Sequence, residues 1–169
     1  RTVYIVDTVS PIITILGSNP LIIEVYGDLT GIEFGATATD NFDSIVNVTQ
    51  VSNLDISNTG TYEIVYSASD SNGNDTSAVR IINVVDTTSP FITISGDNPS
   101  TFEVYTVYVD AGATATDNYD QSVSVVTTGT VDISTVGQYT LTYNATDACG
   151  NQATPKTRIV NIVDTTSPF

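Results

Sequence analysis

An all-β fold built as two tandem β-sandwich domains is predicted by three observations on this 169-residue sequence. Val, Ile, Thr and Tyr alternate with polar residues in Tyr62-Glu-Ile-Val-Tyr-Ser-Ala68 and again in Tyr139-Thr-Leu-Thr-Tyr-Asn-Ala145, the period of a half-buried strand. Turn-forming clusters recur at intervals of about 8–12 residues, and no stretch holds a helical period. The whole pattern also occurs twice. Asp7-Thr-Val-Ser-Pro11 returns as Asp86-Thr-Thr-Ser-Pro90 and Asp164-Thr-Thr-Ser-Pro168, so the prolines are spaced by 79 and then 78 residues. A fixed period of this kind defines the structural unit.

The elements follow in order along the first repeat. A strand at 12–16 ends at the turn Gly17-Ser-Asn-Pro20, and a second at 21–26 follows it. A third at 32–39 runs into Asp40-Asn-Phe-Asp43. Strands at 45–51 and 54–57 precede Asn58-Thr-Gly60, and a long hairpin follows, with strands at 61–69 and 77–85 joined through Ser71-Asn-Gly-Asn74. Seven short strands in about 79 residues predict a small immunoglobulin-like sandwich, so the fold class is two tandem immunoglobulin-like β-sandwich domains. In such sandwiches a Tyr near the start of the sixth strand bonds back to the chain upstream. Gly60-x-Tyr62 and Gly137-x-Tyr139 fit that corner. Ile64 and Leu141 stand where antibody domains carry a disulfide cysteine, which predicts a core held by aliphatic packing.

The second repeat matches the first almost throughout. Gly17-x-Asn19-Pro20 and Glu24-Val-Tyr26 return as Gly96-x-Asn98-Pro99 and Glu103-Val-Tyr105. Gly35-Ala-Thr-Ala-Thr-Asp-Asn-Phe-Asp43 returns as Gly112-Ala-Thr-Ala-Thr-Asp-Asn-Tyr-Asp120. Residues 1–10 read as the trailing strand of a preceding repeat plus a linker, 11–86 as repeat 1, 87–164 as repeat 2 and 165–169 as the start of a following repeat. The run of Asp-Thr-x-Ser-Pro, Gly-Ala-x-Ala-x-Asp, Gly-x-Tyr-x-x-x-Tyr-x-Ala-x-Asp-x-x-Gly-Asn and Arg-x-x-x-Val-x-Asp resembles the bacterial immunoglobulin-like surface repeats related to hyalin-repeat domains. Similar modules occur in the tail region of some pesticidal crystal proteins. The resemblance implies an extracellular or cell-surface spacer, adhesin or fibre role.

Composition narrows the function. Four Lys and Arg face 19 Asp and Glu, for a formal net charge of -15, which excludes nucleic acid as a partner because that binding requires cationic neutralisation of phosphate. There is no His and only one Cys, so His-based catalytic triads and His-ligated or four-Cys metal sites are excluded. The apolar runs are far shorter than the roughly 18 residues a membrane helix needs, and no direct membrane insertion is expected. Asp40 and Asp43 are loop acids with no aromatic cleft around them, so no catalytic residue is assigned and the chain is read as a non-enzyme.

The acids recur at equivalent loop positions. In an immunoglobulin strand order, the loop with Asp40 and Asp43, the hairpin tip with Asp70, and the linker residue Asp7 all lie at one pole, and these four are expected to converge. Their equivalents are Asp86, Asp117, Asp120 and Asp147. Such a set supplies the oxygen ligands that calcium prefers, and the expected cofactor is calcium stiffening the domain junctions. The main reading is a structural module of a tandem array, a surface stalk, adhesin or filament, with adjacent repeats or neighbouring subunits as partners. One alternative is a fibre subunit that polymerises by donating residues 1–6 to a neighbouring chain. Another is a carbohydrate-binding module using Tyr105, Tyr108 and Tyr119, with a surface glycan or protein as ligand. Cys149, at a hairpin tip, is expected to be exposed, as a thiol or an intermolecular bridge.

Overall fold

The computed structural model describes residues 1–32 and 35–168. Glu33 and Phe34, within the strand expected at 32–39, lie outside the described residues. The chain divides into two units, Arg1–Asp86 and a second from Thr87 onward, and among the described residues every regular element is a strand.

The first unit contains β1 (Ile12–Ile15), β2 (Leu21–Glu24), β3 (Ala36–Thr39), β4 (Val48–Ser52), β5 (Gly60–Ser69) and β6 (Asp75–Val85). β1 and β3 form a small antiparallel sheet, extended by a bridge between Ala38 and Val46. The larger sheet has the order β2-β6-β5-β4, with β2 parallel to β6 and the other pairs antiparallel. The second unit repeats this with β7 (Phe91–Ile94), β8 (Ser100–Glu103), β9 (Ala113–Thr116), β10 (Val125–Thr128), β11 (Gly137–Ala145) and β12 (Lys156–Val163). There β7 pairs with β9 and the larger sheet has the order β10-β11-β12-β8. Each unit is an immunoglobulin-like sandwich.

The Gly-x-Asn-Pro segment explains how the chain passes from one sheet to the other. Gly17 and Gly96 take the left-handed backbone conformation, at φ +77° and +75°, which turns the chain out of the small sheet where a side chain would be strained. The following Asn then acts as a substitute strand residue. Asn19 Nδ2 donates to Val79 O at 3.0 Å, and its Oδ1 accepts from Ile81 N at 2.9 Å. Asn98 makes the same pair with Thr157 O at 2.8 Å and Ile159 N at 2.9 Å. These bonds satisfy β6 and β12 just where their parallel neighbours have not yet begun. Asn98→Ala is therefore expected to destabilise the second unit by about 1–2 kcal/mol, read from chemical denaturation, and Asn98→Asp should not restore it because a carboxylate cannot donate to Thr157 O.

One expected element is absent. Residues 54–57 form no strand; Ile56 and Ser57 make a turn, as do Ile133 and Ser134 in the second unit. Asp55 accepts from Ser57 N at 2.8 Å and from Asn58 Nδ2 at 2.8 Å, and Asp132 accepts from Ser134 N at 2.9 Å and Thr135 Oγ1 at 3.0 Å. An aspartate that captures backbone and side-chain donors so close by competes with ladder formation. The segment is held by one long-range bond instead, from Tyr26 N to Ile56 O in the first unit and from Tyr105 N to Ile133 O in the second.

Both cores follow the strand alternation. On β5 the buried side chains are Ile64, Tyr66 and Ala68, and on β6 they are Arg80, Ile82 and Val84. Leu141, Tyr143, Ala145, Arg158, Val160 and Ile162 repeat the set. The expected corners are present: Tyr62 OH donates to Asn58 O at 2.9 Å, and Tyr139 OH to Thr135 O at 2.8 Å. A buried arginine stands at the same place in each core. Arg80 donates to the carbonyls of Leu16, Ser18 and Gly35, tying the chain end of β1 to β6. Arg158 donates to Ser95 O and Gly112 O, and its Nη1 lies 2.9 Å from Asp110 Oδ1. That carboxylate oxygen also accepts from Tyr143 OH at 2.7 Å and Tyr108 OH at 3.2 Å. A charge so deeply buried is tolerated because its Nη donors meet carbonyl oxygens and, for Arg158, a carboxylate, although Nε of each arginine is buried without an acceptor.

Candidate functional site

At one end of the first unit, three loops present carboxylates to a common point. Asp40 directly follows β3, and its Oδ2 accepts from Phe42 N at 2.8 Å and Asp43 N at 3.1 Å. Asp70 directly follows β5, and its Oδ1 accepts from Asn72 N at 2.9 Å and Asn74 N at 2.8 Å while its Oδ2 accepts from Asn74 Nδ2 at 2.7 Å. Asp7 arrives on the linker, where its Oδ1 accepts from Val9 N at 3.1 Å and its backbone carbonyl accepts from Asn74 Nδ2 at 3.3 Å. Each of these turns is a local Asx arrangement that aims the carboxylate. One oxygen from each of Asp7, Asp40 and Asp70 lies within 4.8 Å of the others.

The electrostatics are those of an anionic pocket. Asp7 Oδ2 and Asp40 Oδ1 are buried and have no hydrogen-bond donor. Burial pushes the Asp70 carboxyl up, but hydrogen bonds from the Asn74 side chain and from the Asn74, Asn72 and Gly73 amides outweigh it and hold the group below the usual aspartate value. Asp70 therefore keeps its charge at neutral pH. An all-oxygen donor set with two desolvated, unbonded carboxylate oxygens fits a hard cation of the calcium type.

Asp43, expected in the same set, does something else. Its Oδ2 accepts from Ser71 N at 2.6 Å and its Oδ1 from Ser71 Oγ at 2.9 Å, so it clamps the β5–β6 hairpin tip against the β3–β4 loop. In the second unit the division differs. Asp120 and Asp147 bring carboxylate oxygens within 4.8 Å of each other, with Asp120 Oδ2 accepting from Ala148 N at 2.5 Å and Asp147 accepting from Asn151 N at 2.7 Å and Asn151 Nδ2 at 2.8 Å. Asp117 accepts from Tyr119 N at 2.9 Å and Asp120 N at 3.1 Å through Oδ2, and its Oδ1 is buried without a partner. Asp86, which matches Asp7 in sequence, is the buried last residue of the first unit.

Sequence reasoning does not reach the polar core groups. Arg80 and Arg158 are visible only as a recurring Arg within the last strand of each repeat, and Asp110 carries no local signal. Of the tyrosines weighed for glycan binding, Tyr105 is exposed. Tyr119 is half-buried, and Tyr108 packs edge-on against Phe102 with ring centres 5.0 Å apart. Cys149 is exposed. A shallow concavity of about 620 Å³ on the first unit is lined by Asn47, Thr49, Ser67, Ser69, Asp75 and Ser77, hydroxyl-rich and without an aromatic platform. Among the described residues no helix is long and apolar enough to cross a membrane.

Comparison with known proteins agrees with this architecture. The family described as "Bacterial surface protein, Ig-like domain" matches residues 13–84 and again residues 92–162. Hyalin of Lytechinus variegatus is 34% identical over 96% of this chain, and hyalin of Strongylocentrotus purpuratus 33% identical over 99% of it. The chain spans 33% and 15% of those two proteins. Among solved structures, a lipoprotein of Bacteroides thetaiotaomicron is 29% identical over 47% of this chain and 40% of its own, with a TM-score of 0.38. The fibronectin(III)-like modules of CbhA from Clostridium thermocellum are 16% identical over 90% of this chain and 95% of their own, with a TM-score of 0.39.

Proposed function

The chain belongs to the bacterial surface protein Ig-like domain family, and from that membership we propose that it is a non-enzymatic structural segment of an extracellular tandem array, in which bound calcium rigidifies the repeats. The observation that carries the reading is how the recurring polar residues are used. Asn19 and Asn98 complete strands, Tyr62 and Tyr139 close corners, and Arg80 and Arg158 tie β1 and β7 to the opposite sheet. A side-chain set spent on holding each repeat together suits a stalk, where reach and resistance to unfolding are the function. The acidic surface keeps such modules apart from one another in solution.

Calcium belongs to this reading through Asp7, Asp40 and Asp70. Their carboxylates would hold the ion, which would supply the positive charge that two buried, donor-free oxygens otherwise lack. With extracellular-module affinities of about 10⁻⁴–10⁻³ M, ~10 mM calcium is expected to raise the unfolding midpoint by roughly 5 °C or more over the chelated protein. Asp40→Asn should abolish most of that increment for the first unit while keeping the Asx turn, because the amide oxygen still accepts from Phe42 N and Asp43 N. An unchanged midpoint with and without chelator in scanning calorimetry would remove calcium from the proposal. Specific hits on a glycan array would replace the stalk by an adhesion module.

A further inference from the structure

Residues 1–7 and residues 158–164 are nearly the same sequence. Arg-Thr-Val-Tyr-Ile-Val-Asp and Arg-Ile-Val-Asn-Ile-Val-Asp agree at five of seven positions. In β12 the agreement covers every side chain that faces the core: Arg158, Val160 and Ile162, at 2%, 0% and 1% exposure. The two differences fall at Ile159 and Asn161, which alternate to the other face and are half-buried. Residues 1–7 thus carry the complete inward face of a final strand, Arg1, Val3 and Ile5, with substitutions only on the face turned away from the core, where Asn161 Oδ1 accepts from Gln138 Nε2 at 3.1 Å.

That face has no sheet in this structure. Residues 1–9 form no strand, and Val3, Tyr4, Ile5 and Val6 are 75%, 83%, 97% and 73% exposed. Four consecutive large apolar residues held in water are an unpaired strand. The chain itself displays what such a segment does. β6 lies in the sheet of the first unit and runs through Asp86-Thr-Thr-Ser-Pro90 directly into β7, and residues 1–7 run through Asp7-Thr-Val-Ser-Pro11 into β1 in the same way.

We infer that Arg1–Val6 is the closing strand of a further Ig-like repeat placed N-terminal to it in tandem. It sits between that repeat's antiparallel hairpin strand and its parallel edge strand, as β12 sits between β11 and β8. Arg1 is the recognition element. The equivalents of Ser95 O and Gly112 O, or of Leu16 O, Ser18 O and Gly35 O, receive its guanidinium, and Val3 and Ile5 fill the places of Val160 and Ile162. The inference rests on the tandem-array reading and is independent of calcium.

The test joins a copy of residues 1–157 in front of residues 1–169, so that the internal Arg1 follows Thr157 as Arg158 normally does. Amide exchange at the internal Thr2–Val6 is expected to slow by about 1000-fold or more relative to the same residues at the free N-terminus of the same molecule, with the chimaera monomeric. Arg1→Ala at the internal copy should lose that protection, and Thr2→Ile, which restores the β12 residue, should keep it. Equal exchange of the two copies would overturn the inference while leaving the module reading intact. Concentration-dependent assembly of the 169-residue chain with protection of residues 1–6 would overturn it in favour of donation to a neighbouring chain. A second arm needs no chimaera. The double variant I159T/N161Y writes residues 1–7 into β12, and the second unit should keep its exchange protection; its loss would show the segment unfit for the slot.

Discussion

Arg158→Ala is expected to destabilise the second unit by about 3–5 kcal/mol, the cost typical of removing one partner from a buried ion pair. Arg158 is 2% exposed, and its removal takes the counter-charge from the Asp110 carboxylate and a donor from the carbonyls of Ser95 and Gly112. Burial alone would push the Asp110 carboxyl up. Hydrogen bonds from Tyr143 and the Gly112 amide, with the Arg158 charge and the Tyr108 hydroxyl, reverse this and hold it below the ordinary aspartate value. The same carboxylate and burial push the Tyr143 hydroxyl far up, burial being the larger cause. Because the folded-state value of Asp110 is depressed, its contribution to stability is complete above the unfolded aspartate value of about 3.9 and disappears as pH falls through the lower folded value. Unfolding free energies of the wild type and of Arg158→Ala should therefore converge as the solution is acidified through that range. Asp110→Asn in the Arg158→Ala background should recover part of the loss, since a neutral amide needs no counter-charge. A neutral Arg158→Ala phenotype in chemical denaturation would refute the assignment.

Ile82→Ala is expected to cost the first unit about 2–5 kcal/mol, the range for truncating a fully buried aliphatic side chain. Ile82 is 0% exposed and lies on the inner face of β6, opposite Leu21 of β2 on one side and Tyr62 of β5 on the other. β6 is a central strand, so the cavity weakens its attachment to both neighbours. An outward position on the same strand provides the control. Val79→Ala, at a side chain 41% exposed on the same strand, should change stability by no more than about 0.5 kcal/mol. Two denaturation transitions, or a single one with resolved exchange rates in each unit, would assign the loss to the first unit.

Much of this fold is legible in the sequence. β5 and β11 alternate so regularly that their buried residues, Ile64, Tyr66 and Ala68 and then Leu141, Tyr143 and Ala145, follow from period 2 alone. The corner tyrosines are legible because the motif lies within a few residues of chain, from Asn58 to Tyr62 and from Thr135 to Tyr139. The segment 54–57 misleads for the opposite reason. Leu54-Asp-Ile-Ser57 has strand-like alternation, but Asp55 finds donors on Ser57 and Asn58 before any neighbouring strand can supply them. In the candidate site, the convergence of Asp7, Asp40 and Asp70 is legible from strand order, whereas the diversion of Asp43 is not. Asp43 gives both carboxylate oxygens to Ser71, the amide to one and the hydroxyl to the other, whereas its equivalent Asp120 meets Ala148, which has no hydroxyl, and stays beside Asp147.

By itself the sequence determined the period of the repeat, the strand character of each half, the turns that separate the strands and the acids gathered at one end of the first unit. These depend on alternation and on turn chemistry, both of which act over a few residues. Only the tertiary structure decided which side chains meet across the sandwich: the arginine of the last strand with the carbonyls behind β1 or β7, Asp110 with Arg158 and two tyrosines, and three of four acids rather than all four around one point. Those meetings are long-range. They depend on how two sheets pack and on where each loop finds its hydrogen bonds, and equal residues in a repeating sequence are free to take different partners once that packing is set.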